Sequence, residues 1–249
     1  MCGRFALNLF VDDLVDEFNV ERVEVPEPLA PDFNVAPTKD VYAVLTRRPR
    51  PSQADEAADG PVRQLRILRW GLVPSWAKNP SVGSRMINAR METVAEKPAF
   101  RQAFAKRRCL VPADGYYEWY ATEKNGKAAK QPFYIHRQDD GILAMAGLYE
   151  FWRNEQVERD DPDAWLVTCT IMTTTAEDSL GRIHDRMPLM VERDGYDRWL
   201  DPDTDDPDRL RSLLVPATPD RLVAVPVSTA VNDHRHNGPE LIEPLALQA

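Results

Sequence analysis

In FVDDLVDEF (10–18) apolar residues return at helical spacing, with Phe10, Leu14, Val15 and Phe18 on one side, which predicts a short amphipathic helix. VYAVLT (41–46) and RQLRILRWGL (63–72) read instead as strands, the second alternating through Leu65 and Ile67. The acidic stretch between them reads as a hairpin-like loop, an insertion over about residues 48–62. KPAFRQAFAKRR (97–108) has proline near its start and cations in its last turn, as a helix should.

Four runs rich in aromatic and β-branched residues follow, bounded by turn residues: CLVPADGYYEWY (109–120), QPFYIHR (131–137), ILAMAGLYEFW (142–152) and AWLVTCTIMT (164–173). They predict a mostly antiparallel sheet. Thr175 and Asp178 resemble a capping box, with Asp shorter than the usual partner, so a helix is expected to deliver His184 at its end. Helices are also expected near YDRWL (196–200) and DRLRSLL (208–214), and RLVAVPVS (221–228) closes as a strand. This order is neither βαβ alternation nor a bundle. It fits an α+β fold, a single domain built on a curled, barrel-like, mostly antiparallel sheet with flanking helices.

A chain of 249 residues, 43% hydrophobic and 29% charged, is long and apolar enough to bury a core. No run approaches the roughly 20 apolar residues of a membrane span and no basic-then-apolar leader is present, so a cytoplasmic location is expected. Cys2, Cys109 and Cys169 are too few and scattered for a disulfide framework, and no CxxC pair suggests zinc; neither metal nor cofactor is expected. The formal charge of −9 argues at first against a polyanionic partner. Its distribution changes that picture: acid gathers in the loop-like stretches 52–60, 158–163 and 201–208, whereas cations accompany apolar and aromatic residues at 66–78, 85–90 and 101–109. A basic groove on an acidic body is compatible with this pattern.

Several residues have chemical potential. Cys2 follows the initiator methionine; freed of Met1, it becomes a 1,2-aminothiol whose amine and thiol titrate near about 7.7–8.0 and 8.5. Such a pair condenses with an aldehyde to a five-membered thiazolidine. The plain alternative is a frayed terminus. Asn88 and Arg90 share one face if extended, with Arg85 near them; Asn can both donate and accept, and Arg offers a fork suited to phosphate. Glu118 stands among Tyr116, Tyr117, Trp119 and Tyr120, where partial desolvation would raise its pKa and suit it to proton transfer, unless it faces outward from its strand. His184, followed by Asp185 and Arg186, can shuttle a proton or merely cap a helix. Trp70 and Trp76 are core residues or, for Trp76, an exposed ring for a base to stack on.

Eight ordered segments together carry a specific resemblance: MCGRF at the start, FNVAPT (33–38), RWGLVPSWAK (69–78), MINARMET (86–93), EKPAFR (96–101), RCLVPADGYYEW (108–119), IHDRMP (183–188) and GPELIEP (238–244). Over residues 2 to about 244 the chain resembles the SOS response-associated peptidase (SRAP) family. The resemblance implies shielding of abasic sites in single-stranded DNA by a thiazolidine crosslink to the N-terminal cysteine. It implies Cys2 as nucleophile, Asn88 as a hold on the cysteine or the opened sugar, Glu118 as proton carrier, and His184 as acid/base aid at the sugar hydroxyl or a phosphate. DNA contacts would come from Arg4, Arg85, Arg90, Thr173 and Arg186, with Pro37 and Trp76 as apolar surfaces for bases.

The family name suggests a different reading, a cysteine peptidase or N-terminal nucleophile amidohydrolase using Cys2, Glu118 and His184. A third, a noncovalent single-strand-binding module, leaves Cys2 and Glu118 without a role. The expected partner is single-stranded DNA bearing abasic sites, bound by a monomer that gathers at the nucleoid during damage, with steep salt dependence if the groove is local. Two stretches depart from the family pattern, the acidic one at 52–60 and the histidine-rich VNDHRHNGPE (231–240).

Overall fold

Thirteen strands and four short α-helices occupy the residues described by a computed structural model, namely 2–48, 60–124, 126–161, 164–176, 180–214 and 221–245. In chain order, β1 (Phe5–Leu7), α1 (Val11–Phe18), β2 (Arg22–Glu24), β3 (Asp32–Val35), β4 (Asp40–Arg47) and β5 (Val62–Trp70) come first. β6 (Asn88–Arg90), α2 (Arg101–Lys106), β7 (Arg108–Ala113), β8 (Gly115–Lys124), β9 (Lys127–Arg137), β10 (Leu143–Arg153) and β11 (Trp165–Thr175) follow. The chain continues through β12 (Arg186–Pro188), α3 (Tyr196–Leu200), α4 (Pro207–Ser212) and β13 (Leu222–Pro226).

Five strands close on themselves. β4 pairs with β5 and β7, β7 with β10, and β10 with β11, all antiparallel; a short parallel contact of β11 with β5, Thr168 against Arg69 and Cys169 against Trp70, completes the ring. Val41–Leu45 in β4 and the whole of β7 are buried on both faces, the barrel interior on one side and covering elements on the other. That explains why VYAVLT reads as a continuous apolar run rather than an alternation. A second antiparallel sheet, ordered β13-β9-β8-β1-β3, turns one face to the barrel. Phe5, Tyr116 and Ile135 on that face join the main core, while Tyr117 and Tyr134 on the other pack against Val227, Val231 and Leu241 of the C-terminal segment.

The helices and sheets mostly match the sequence pattern, and α3 spans the YDRWL stretch in full. Three details differ. Phe10 stands outside the helix as its N-terminal flank, in extended conformation and 67% exposed, so only Leu14 and Phe18 bury the apolar stripe. The helix expected over 97–108 is confined to Arg101–Lys106, and Arg108 opens a strand. Instead of a helix before His184, the described residues hold one 3-10 turn, Leu180–Arg182; Asp178 lies outside them, as does most of the acidic insertion. No helix among the described residues is long and apolar enough to cross a membrane.

Arg108, counted among the basic stretches, is a core residue. Its Nε donates to Trp199 O (2.8 Å), Nη1 to Phe104 O and Ala105 O, and Nη2 to Asp201 O and Thr204 O. Burial pushes its pKa down to about 10. The side chain ties α2 and α3 to β7, beside the bond from Trp199 Nε1 to Cys109 O.

Candidate active site

Sheet pairing brings the chain start beside β8. Phe5 faces Tyr116, and the Tyr117 amide donates to Arg4 O at 2.9 Å, so residues 2–4 run along the middle of β8. Cys2 is fully buried in the main core. Desolvation pushes its thiol well above the ordinary value, and the nearby Glu118 carboxylate adds to the effect. Its carbonyl accepts a hydrogen bond from Asn88 Nδ2 at 2.8 Å.

Asn88 reaches that carbonyl because β6 also pairs with β11, in parallel, with Asn88 against Ile171 and Arg90 against Thr173. A close approach of two turns sets this up. Gly71 sits at φ 121°, and a Cβ there would lie 2.6 Å from Gly83 O; without side chains, the segment leaving β5 can cross the 3-10 turn Pro80–Arg85. Leu72 N then bonds Met86 O, and Trp70 Nε1 bonds Ile87 O at 3.0 Å. Ala89 points into the core while its neighbours turn the other way. Asn88 Oδ1 is buried with no hydrogen-bond partner among the described residues. Such a group is a ready acceptor for a ligand.

Glu118 faces inward. It pairs with Phe133 across β8 and β9 and is 3% exposed. Tyr116 and Tyr120 share its face by strand alternation, whereas Tyr117 and Trp119 belong to the opposite side. Burial raises its pKa, and nearby positive charge, that of His184 included, partly offsets the rise. His184 is half-buried; its Nδ1 accepts the Arg186 amide at 2.9 Å and lies 2.9 Å from Asp185 Oδ1. The amide contact uses the Nδ1 lone pair, whereas the Asp185 contact calls for a proton there; either way Nε2 is the nitrogen left to face a ligand.

Arg90 lies opposite Thr173 across β6 and β11, and Arg186 of β12, opposite Thr175, reaches back to the same Thr173. Arg186 Nη2 donates to Thr173 O at 2.7 Å and approaches Thr173 Oγ1 at 3.3 Å. Glu92, not singled out in the sequence, accepts from its Nη1 and Nη2, at 2.6 and 3.0 Å. The hydrogen bonds from Arg186 hold the Glu92 carboxyl below its usual range. Arg85 and Arg90 are exposed and make no ion pair among the described residues.

Arg4 turns into the protein. Nη1 donates to Asn34 Oδ1 (2.6 Å) and Val231 O (2.9 Å), and its guanidinium lies 6.0 Å from the Trp119 ring. Burial lowers its pKa. Asn34, fully buried, in turn donates to Asp233 O and His236 O, so the histidine-rich segment serves to hold Arg4. The signal that could have found Asn34 was its place inside FNVAPT, where a lone amide interrupts an apolar run.

Pro37 and Trp76 were the two apolar candidates. Pro37 is half-buried beside Thr38, whose amide bonds Trp70 O. Trp76 is 64% exposed, at a cavity of about 600 Å3 that it lines with Lys78, Trp152 and Arg153. Cys2, Asn88, Glu118 and His184 thus converge, and Arg90, Thr173 and Arg186 lie together on β6, β11 and β12. No group of three or more metal-ligating side chains occurs among the described residues.

The family model for SOS response associated peptidase (SRAP) matches residues 1–234. The chain is 39% identical over 243 residues to "Abasic site processing protein YoqW" of Bacillus subtilis (strain 168), covering 98% of this chain and 99% of that protein. It is 32% identical over 279 residues to "Abasic site processing protein HMCES" of Gallus gallus, covering 99% and 79%. Among solved structures, a Bacteroides thetaiotaomicron protein matches with TM-score 0.79 at 23% identity, over 98% of this chain and all of that one, a likeness of fold. A phage-related protein of Bordetella bronchiseptica matches with TM-score 0.64 at 29% identity, over 91% and 94%.

Proposed function

The chain belongs to the SOS response associated peptidase family, and from that premise we propose that it captures abasic sites in single-stranded DNA as a thiazolidine on Cys2. One observation carries the reading: Cys2, Asn88, Glu118 and His184, far apart in sequence, meet at the chain start, in a protein whose relatives are named abasic site processing proteins.

The chemistry requires a free α-amine on Cys2, so Met1 has to be removed, by an aminopeptidase or by the protein itself. The amine adds to the aldehyde carbon of the ring-opened deoxyribose, and water leaves to give an imine. Cys2 Sγ, losing its proton, then adds to the imine carbon while the nitrogen gains one; the sum is amine, thiol and aldehyde to thiazolidine and water. Glu118, whose pKa burial raises, supplies the proton that lets hydroxide leave as water. Its carboxylate then takes the thiol proton. Asn88 holds the Cys2 carbonyl and presents its free Oδ1 to the opened sugar. His184 Nε2 donates to a sugar hydroxyl or phosphate.

A buried thiol with a raised pKa suits this reaction better than peptide hydrolysis. A cysteine peptidase needs a standing thiolate for attack on a bound amide. Ring closure is intramolecular and gains from a high effective concentration, so transient deprotonation suffices. Arg90 and Arg186 act as phosphate contacts, Arg186 after exchanging Glu92 for the backbone; Arg4, tied to Asn34 and Val231, positions the terminus instead. Mixing the protein with single-stranded DNA carrying one abasic site, denaturing, and weighing the products tests the reading. Met-less protein is expected to gain the mass of the DNA less one water, and Cys2→Ala to form no thiazolidine. Absence of an adduct on Met-less protein would sink it.

A further inference from the structure

A hollow with no part in the chemistry above opens on the Glu118 face of the second sheet. Side chains alternate along β8, so Tyr120 points the same way as Glu118, one step further out. Phe133 faces Glu118 across the strand pair and meets the Tyr120 ring edge-on, with centroids 6.5 Å apart at 87°. These two rings, with Arg182, Ile183, Leu222 and Ala224, line a cavity of about 520 Å3. Its far wall is the turn that leads into His184, since Ile183 is the preceding residue.

Three features limit what can fit. The two perpendicular rings give a flat apolar floor and wall, and Tyr120 is 44% exposed, so its ring is open to a stacking ligand. Arg182 is exposed and makes no ion pair among the described residues. Among the described residues no carboxylate lines the hollow, although the chain as a whole carries −9. A planar, apolar ligand with an anionic edge matches this set, and its volume lies in the range of small-ligand sites.

We propose that this hollow seats the nucleobase next to the lesion, stacked on Tyr120, with Arg182 at its phosphate. The inference rests on the DNA-capture reading and deepens it: the strand is gripped beside the reacting sugar, on the Glu118 side. A base has a π-face whatever its identity, so the grip is tolerant of sequence. It also holds the strand while imine formation and ring closure proceed.

The test uses the full chain and single strands carrying a tetrahydrofuran in place of the abasic sugar, which cannot crosslink, with 2-aminopurine on its 5′ or 3′ side. Quenching of 2-aminopurine is expected at one of the two positions, kept by Tyr120→Phe and lost in Tyr120→Ala, whose binding weakens on the order of tenfold. Arg182→Ala is expected to lower the slope of log affinity against log salt by about one. If neither position is quenched by the wild-type protein, or Tyr120→Ala quenches and binds like wild type, the inference is overturned. A parallel crosslinking assay on true abasic DNA separates the two claims: adduct without quenching removes the hollow's role alone, and absence of both removes the capture reading itself.

Discussion

Two polar regions are buried against the same core, and they are satisfied in opposite ways. Around Arg108 all five guanidinium donors meet backbone carbonyls, from Phe104 and Ala105 on one side and Trp199, Asp201 and Thr204 on the other. Around Cys2 the accounts do not close. Asn88 keeps a buried oxygen without a partner, and burial pushes both the Cys2 thiol and the Glu118 carboxyl toward their protonated forms. A fully matched polar cluster rigidifies a core, whereas a partly matched one stores a demand that a ligand can meet. The first region builds the fold and the second is available to a substrate.

The sharpest way to break this contrast is to spoil the matched region. Arg108→Met leaves five carbonyls without their donor, and we expect a loss of about 3–5 kcal/mol, read as a lower denaturant midpoint at unchanged slope. A loss within 1 kcal/mol would mean that the carbonyls find water instead.

The unmatched region should respond in the opposite sense. Glu118→Gln removes a group whose folded pKa lies above its unfolded one. That group's contribution to stability is complete below the unfolded carboxylate range and is lost as pH rises through the raised value. The variant is therefore expected to match wild type in acid and to exceed it in melting temperature increasingly toward neutral and alkaline pH. Its crosslinking rate should fall on the order of 100-fold, the usual contribution of a positioned acid/base group. A melting difference independent of pH would contradict the assignment.

Arg186 lies between the two extremes, since a half-exposed carboxylate shares its fork with a single fixed carbonyl, Thr173 O. Glu92→Gln is expected to cost under about 1 kcal/mol of stability, as exposed pairs do. It should tighten single-stranded DNA binding a few-fold at low salt, measured by fluorescence anisotropy. Weaker binding would instead make Glu92 a positioning group for Arg186.

Much of this was legible in the chain. The strands of β4, β5 and β8–β11 follow from runs of apolar and β-branched residues, and α3 from its pattern and length, because side-chain periodicity is a local property. The candidate residues were found from short ordered segments, each a local signal as well. What local pattern could not supply was direction and partnership. Glu118 reads equally as inward or outward on its strand, and only the pairing of β8 with β1 and β9 turned it toward Cys2. Arg108 looks like any cation in a basic run until the ends of α2 and α3 surround it with carbonyls. Arg4 looks like any terminal cation until Asn34 and the segment around Val231, more than 200 positions away, engage its Nη1. The sequence by itself determined the elements and the cast of reactive side chains. The tertiary structure decided which of them lose water, which gain partners and which are left unmatched, because desolvation and hydrogen bonding depend on neighbours that only long-range strand pairing brings together.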